Sequence, residues 1–255
     1  MTEPTGLLLP EGSLVLTDLH VDCASPAEVA EFEDLLERAA GAPVLLLLGD
    51  LFEYWIGPSQ ATDEGALRVL GALADFPGQV HLIPGNRDVL GGHELEAALG
   101  SPLLWHGCLA ELDSGHKVLF LHGDELCLED RPYLRLRRFL RNPLVRTCLR
   151  ALPGFIGHRL ARRLRRSSAS AVAARAPLEV AQDPAEAGRR LEACDAEVLV
   201  VGHTHAWREV PTPGGGTMIV LDALGGPRDL LRIAGGDDAS LDFCASAGLG
   251  DAASG

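Results

Sequence analysis

The chain has 255 residues, of which 47% are hydrophobic, and a net charge of −14 from 22 basic and 36 acidic residues. Such a length can bury a sizeable core, and one α/β domain with an insertion is expected. No apolar run reaches the length of a membrane span, the start "MTEPTG" lacks the basic and apolar regions of a secretory signal, and the six cysteines form no CxxC pair, so an intracellular chain without disulfides or a thiolate zinc site is expected. The acidic total hides an asymmetry: twelve arginines and no Asp or Glu lie between Arg131 and Arg166, leaving +12 there and −26 elsewhere.

In chain order, "LVLTDLH" (14–20), "PVLLLLGDLFE" (43–53), "VHLIPGNRD" (80–88), "KVLFLHGDE" (117–125) and "VLVVGHTH" (198–205) share one design, an apolar run followed directly by a polar turn. Continuous apolarity predicts strands covered on both faces. Between the first three, "PAEVAEFEDLLERAA" (26–40) and "EGALRVLGALADF" (64–76) carry apolar residues at helical spacing. Strand, helix, strand predicts a layered α/β fold with a largely parallel sheet. After Asp130 the pattern is helical only, with Leu136, Phe139 and Leu140 on one stripe among arginines and with Pro143 and Pro153 as breaks. A further helix near 184–193 precedes the last motif strand, "TMIVLDAL" (217–224) reads as one more strand, and the glycine- and alanine-rich stretch from Gly235 reads as a frayed tail.

The ending of "EVLVVGHTH" poses a question of its own. Alternation in an extended segment puts His203 and His205 on one face, roughly 6 to 7 Å apart. An isolated HxH is better explained as a loop with two exposed histidines, so the other strand ends decide. They supply Asp18, His20, Asp50, Asn86 and His122. In open α/β sheets ligands gather at the carboxyl ends of strands, so these groups are expected to converge. Hard oxygen donors mixed with imidazole suit Mn²⁺, Fe²⁺ or Zn²⁺ rather than calcium. Without a cation, such buried groups cost several kcal/mol each.

The ordered set DxH, GD, GN, H and GHxH resembles the calcineurin-like metallophosphoesterases. More narrowly, "GDLFEYWIG", "GNRD", "LHGDELCLED" with the arginine-rich helices after it, and "GHTH" are similar to the UDP-2,3-diacylglucosamine diphosphatases of the lipid A pathway, over roughly residues 13–225. The resemblance implies an α/β fold, a sandwich of two β-sheets flanked by helices, spanning 13–233 with an arginine-rich helical lid insertion at about 130–176, and composition adds a flexible tail over 234–255. It also implies hydrolysis of the pyrophosphate to UMP and 2,3-diacylglucosamine 1-phosphate by a hydroxide that two divalent ions activate, with Mn²⁺ the implied metal. Asp18, His20 and His205 would hold one ion, Asn86, His122 and His203 the other, and Asp50 would bridge them. Asp50, Asn86, Arg87 and His122 carry over as the catalytic set, and Asn86, Arg87, Asp130, Tyr133, Ser168, Arg175 and His203 as substrate contacts. Arg175 stands where relatives often have lysine, keeping the charge with a different geometry.

Each residue also has a plainer reading. Asp18, Asp50 and Asn86 suit turns, His122 could be a satisfied core histidine, Arg87 could pair with Asp88, and Asp130 could simply cap a helix. Asp88 and Asp124 are expected to orient ligand histidines. Arg87 replaces the histidine of the wider family; an arginine cannot donate a proton at neutral pH, which fits a departing phosphate that leaves unprotonated. The arginine-rich helices are expected to line a groove for acyl chains and to face anionic lipid, twelve cations without acidic partners being poor packing material. No nucleic-acid motif accompanies them. Two departures touch the substrate pocket: Pro58 and Ser59 stand where the narrower family has an acidic pair, and "LDALGG" replaces its usual ending. Two rivals stay open, a metallophosphoesterase for another nucleotide or phospholipid diester and a silent binding module on the same scaffold. The expected place of action is the cytoplasmic face of the membrane, on a lipid-linked UDP-sugar.

Overall fold

The computed structural model describes residues 3–112, 115–161, 163, 181–235 and 240–249. In chain order its elements are β1 (Thr5–Leu9), β2 (Leu14–Leu16), α1 (Pro26–Arg38), β3 (Val44–Leu47), α2 (Glu64–Ala74), β4 (Gln79–Leu82), α3 (His93–Leu99), β5 (Cys108–Leu112), β6 (Lys117–Phe120), α4 (Arg131–Leu140), α5 (Pro143–Arg150), α6 (154–161), α7 (Pro184–Cys194), β7 (Val198–Val201), β8 (Arg208–Pro211), β9 (Thr217–Val220), β10 (Leu230–Ile233) and β11 (Leu241–Cys244).

Two sheets pack face to face, one ordered β1-β5-β6-β7-β9-β8 and the other β11-β10-β2-β3-β4. Strand alternation explains why the motif strands read as unbroken apolar runs. Val15, Leu46, Val118, Phe120 and Val200 fill the space between the sheets. Their neighbours Leu14, Leu16, Leu45 and Leu47 point instead to α1 and α2, while Leu119, Leu199 and Val201 pack against α7. In β2, β3, β6 and β7 every second side chain thus meets a different apolar layer, whereas β4, at a sheet edge, keeps Gln79 and His81 on one face.

Both sheets are mixed rather than largely parallel. β2, β3 and β4 run parallel, as do β6 and β7, but β10 and β11 join the former set antiparallel and β5 pairs antiparallel with β6. The strands absent from the sequence reading are β1, β5, β8, β10 and β11; of these β1, β8 and β11 sit at sheet edges with exposed positions, and β5 alternates buried with more exposed ones. β1 begins the fold before residue 13. The stretch expected as a tail is corrected over 240–249: Leu241–Cys244 adds an edge strand to β10, and Ser246, buried behind it, donates from its backbone N and its hydroxyl to Asp229 at 2.6 and 2.7 Å.

Helix starts follow local chemistry. Ser25, Asp130, Asn142 and Asp183 each accept from a first-turn amide, with proline at the first or second helical position. The expectation that the arginines of 131–166 lack acidic partners is corrected for Arg137 and Arg150, and two more bind the core through carbonyls. Arg137 pairs with Asp124 at 2.6 Å, and Arg150 grips Glu94 with two bonds of 2.9 and 2.8 Å. Arg141 donates to the carbonyls of Trp105 and Pro84, and Arg146 donates to that of Gly91 while stacking 4.0 Å over Trp105. These four fasten α4 and α5 to the core. Arg131, Arg135 and Arg138 face outward.

Candidate metal centre

The carboxyl ends of β2, β3 and β4 in one sheet and of β6 and β7 in the other open on a common volume. The turns leaving them are strained. Six non-glycine residues have positive φ among the described residues, and five of these are Asp18, His20, Asp50, His203 and His205. Left-handed backbone at non-glycine residues costs of order 1 kcal/mol or more and persists where the surroundings over-determine it. Backbone bonds tie the turns together: Asp18 N to Gly49 O at 3.1 Å, His20 N to Asp50 O at 2.9 Å, and Gly202 N to His122 O at 3.0 Å. The glycine of each motif exists for close approach. A Cβ on Gly85 would stand 2.2 Å from Asp50 Oδ1, and one on Gly202 would stand 2.3 Å from Asp18 Oδ2.

Six of the seven predicted ligands fall into two triads, each with its donor atoms within 4.8 Å of one another: Asp18, His20 and His205, then Asp50, His122 and His203. In the first, Asp18 Oδ1 lies 3.2 Å from His205 Nε2, which is 3.1 Å from His20 Nε2. In the second, His122 Nε2 lies 3.6 Å from Asp50 Oδ1 and 3.3 Å from Asn86 Oδ1, which brings the seventh residue in. One histidine of "GHTH" therefore belongs to each triad.

The donor set fits two divalent cations. His122 Nδ1 donates to Leu48 O at 2.7 Å, which turns Nε2, the atom left to meet a cation, towards the oxygens of Asn86 and Asp50. Asp18 Oδ1 is buried without a hydrogen-bond donor, its Oδ2 already accepting from Thr17 Oγ1 and His203 N at 2.7 and 2.8 Å. Burial pushes the Asp50 carboxyl up to about 7, with Asp18 and Asp88 adding to the rise and His122 opposing it. Burial opposes charge on His122, yet Asp50, Asp18 and Asp124 push its imidazole up to about 9. Burial pulls His20 and His203 down to about 4, which keeps them neutral imidazoles at physiological pH. Burial would also raise Asp18, but His205 and the charge of His122 hold it well below the usual carboxylate range. The arrangement calls for positive charge at its middle.

The neighbours are placed differently from the sequence reading. Asp88 and Asp124 do not orient ligand histidines. Asp88 is fully buried and accepts from the amides of Leu51, Phe52 and Gly85 at 3.2 to 3.3 Å, clamping the Asp50 turn to the Asn86 turn. Asp124 accepts from the Tyr133 hydroxyl and from Arg137, so it holds α4. Arg87 does not pair with Asp88: its Nε is 3.8 Å from Asp50 Oδ2 and its Nη1 3.8 Å from Glu53 Oε1. Asp130 caps α4, accepting from Tyr133 N at 3.0 Å. Ser168 and Arg175 lie outside the described residues.

Two residues at the site escaped the sequence reading. Glu53 approaches both His20 Nδ1, at 3.7 Å, and Arg87. A bridge between Val21 and Phe52 sets it there, a non-local pairing that no spacing reveals. Gln182 donates to Gly202 O at 2.8 Å and accepts from Thr204 Oγ1 and Arg208 at 3.2 and 2.6 Å, which fixes the GHTH turn.

A cleft of about 300 Å³ opens from Asn86 and Arg87 and runs beneath the arginine-rich helices. Leu136, Phe139 and Leu140 of α4 line it, as the stripe predicts, together with Leu149, Leu152 and Leu160. Tyr133 lines its inner end, its ring 6.1 Å from that of His203.

Comparison with known proteins agrees with this geometry. A family model described as calcineurin-like phosphoesterase matches residues 13–207. The chain is similar to the UDP-2,3-diacylglucosamine hydrolase of Pseudomonas fluorescens, 40% identical over 75% of this chain and 78% of the relative. It is similar also to the hydrolases of the same name from Pseudomonas aeruginosa, 38% identical over 78% of this chain and 83% of the relative, and from Pseudomonas putida, 38% identical over 75% and 81%. With motif order, paired triads and matched sequence all in agreement, the chain belongs to the calcineurin-like phosphoesterase family.

Proposed function

We propose that this protein hydrolyses the pyrophosphate bond of UDP-2,3-diacylglucosamine, releasing UMP and 2,3-diacylglucosamine 1-phosphate, a step of lipid A biosynthesis. The observation that carries this reading is the junction of two features: an apolar cleft suited to acyl chains begins at the very residues, Asn86 and Arg87, that border the paired triads. The names of the Pseudomonas relatives support the same substrate.

Asp18, His20 and His205 would hold one ion, Asn86, His122 and His203 the other, with Asp50 between them and Mn²⁺ the proposed metal. Two divalent cations, when bound, neutralise phosphoryl oxygens and lower the pKa of a nearby water. The chain's residues supply the rest. Leu136, Phe139 and Leu160 hold the chains out of water, which orients the diphosphate at the cleft mouth. Arg87, turned towards Asp50 and Glu53, is placed to stabilise charge on the departing phosphate, which leaves without a proton. Asp130, Tyr133, Ser168 and Arg175 are proposed as contacts to the lipid-linked sugar, the last two from sequence alone.

The arginine-rich helices are proposed as a lid that also meets the cytoplasmic face of an anionic membrane. Leu144 and Phe155 are 78% and 76% exposed, among outward arginines. Apolar side chains amid cations suit the lipid interface. Among the described residues no helix is long and apolar enough to cross a membrane. The test is purified protein with UDP-2,3-diacylglucosamine and Mn²⁺. UMP should appear with the wild type and not with Asp50→Ala; full activity in that variant would overturn the proposed chemistry.

A further inference from the structure

A second cavity, of about 330 Å³, borders the metal centre through Glu53, whose carboxylate lies 3.7 Å from His20 Nδ1. It begins at Val21 and Asp22, directly after His20, and at Glu53, which approaches both His20 and Arg87. Tyr54 belongs to the walls of both cavities and so divides them at the centre. Helix α6 covers both: Gly157 and Leu160 face the apolar cleft, whereas His158 faces the second cavity, its ring 5.8 Å from Tyr54 and its Nε2 3.2 Å from Asp63.

A diphosphate ester carries two substituents, and when its phosphorus centres sit at the ions these must leave in different directions. The acyl-bearing one fits the apolar cleft. We propose that the second cavity is the subsite for the pyrimidine ribonucleoside, an inference that rests on the substrate proposed above. Its chemistry matches that ligand. Asp22, Glu53, Asp63 and Glu64 stand on its walls, and the guanidinium there, Arg68, is held by Glu33 with Nε at 2.9 Å. Such a wall repels a second phosphate but accepts from neutral donors, and a ribose diol and an imide N–H are the donors a uridine presents. The volume lies at the lower end of the range for small-molecule sites, as one nucleoside requires. Carboxylates here also give the anionic diphosphate a reason to remain at the ions.

The test uses Ala24, an exposed residue on the cavity rim. Ala24→Trp should raise KM for UDP-2,3-diacylglucosamine and the Kd of UMP, measured calorimetrically on Mn²⁺-loaded protein, by about tenfold or more. Hydrolysis of bis(p-nitrophenyl) phosphate, a diester without a nucleoside, should not change. In the wild type, UMP should bind more tightly than 2′,3′-dideoxy-UMP. Wild-type turnover of the substrate with KM and Kd unaltered in Ala24→Trp would overturn this inference and leave the proposed function standing, and equal binding of the two nucleotides would do the same. A wild type that hydrolyses the simple diester but not UDP-2,3-diacylglucosamine would overturn the proposed function and the subsite with it.

Discussion

At the scale of single residues, the site is made by what is missing as much as by what is present. Gly85 leaves room for Asp50, and Gly202 leaves room for Thr17 and Asp18. Gly85→Ala should push the Asp50 carboxylate from its place and lower metal affinity about tenfold to a hundredfold, read by titrating Mn²⁺ into apoprotein. Arg87 offers a sharper chemical test. Lysine keeps the charge but loses the fork, so Arg87→Lys should cost about tenfold in kcat and Arg87→Ala about a hundredfold or more, with KM moving less. Steady-state kinetics decides this, and an effect confined to KM would assign Arg87 to uniform substrate binding instead. The residues that the paired triads bring together were legible in the sequence because each sits in a turn that follows an apolar run. The partners of Asp88 and Asp124 were not, since they are amides and side chains brought near by the meeting of turns and by the docking of α4.

At the scale of elements, the arginine-rich helices divide their charge between two tasks. Arg137, Arg141, Arg146 and Arg150 face the core, and Arg150 closes on Glu94, which also accepts from Trp55 Nε1 at 3.0 Å. Burial would raise the Glu94 carboxyl, but the bonds from Arg150 and Trp55 hold it below its ordinary value. A depressed folded-state pKa means stability that is present above the unfolded value and lost as pH falls through the folded one. Glu94→Gln should therefore destabilise by about 1.5 to 3 kcal/mol near neutrality and by progressively less below about pH 4.3, measured by urea unfolding across pH. A penalty unchanged by acid would deny the ion pair its role. Outward, Phe155→Ser should reduce sedimentation with anionic phosphatidylserine vesicles while leaving turnover of bis(p-nitrophenyl) phosphate unchanged. The sequence showed the apolar stripe and the charge, but the acidic partners of these arginines lie 12 to 56 positions away and are visible only in the folded chain.

At the scale of the whole molecule, two sheets converge on one volume, and their strands supply seven groups from turns spread over 188 positions. β2, β3, β6 and β7 were readable because both faces are buried; β1, β8 and β11 were not, because edge strands with exposed positions carry little apolar signal, nor was β5, where Glu111 is exposed. Convergence of buried carboxylates means that cations should stabilise the folded state. Mn²⁺ at about a hundred times its Kd should add about 2.7 kcal/mol, a rise of roughly 5 to 10 °C in Tm, and Asp50→Ala should abolish most of it. The central claim is that this centre directs water at the phosphorus of the nucleotide, with the sugar phosphate departing. Hydrolysis of UDP-2,3-diacylglucosamine in ¹⁸O-water with Mn²⁺, followed by mass spectrometry of both products, tests it most directly. The label should appear in UMP and not in 2,3-diacylglucosamine 1-phosphate; label in the sugar phosphate, or no hydrolysis at all, would contradict the account.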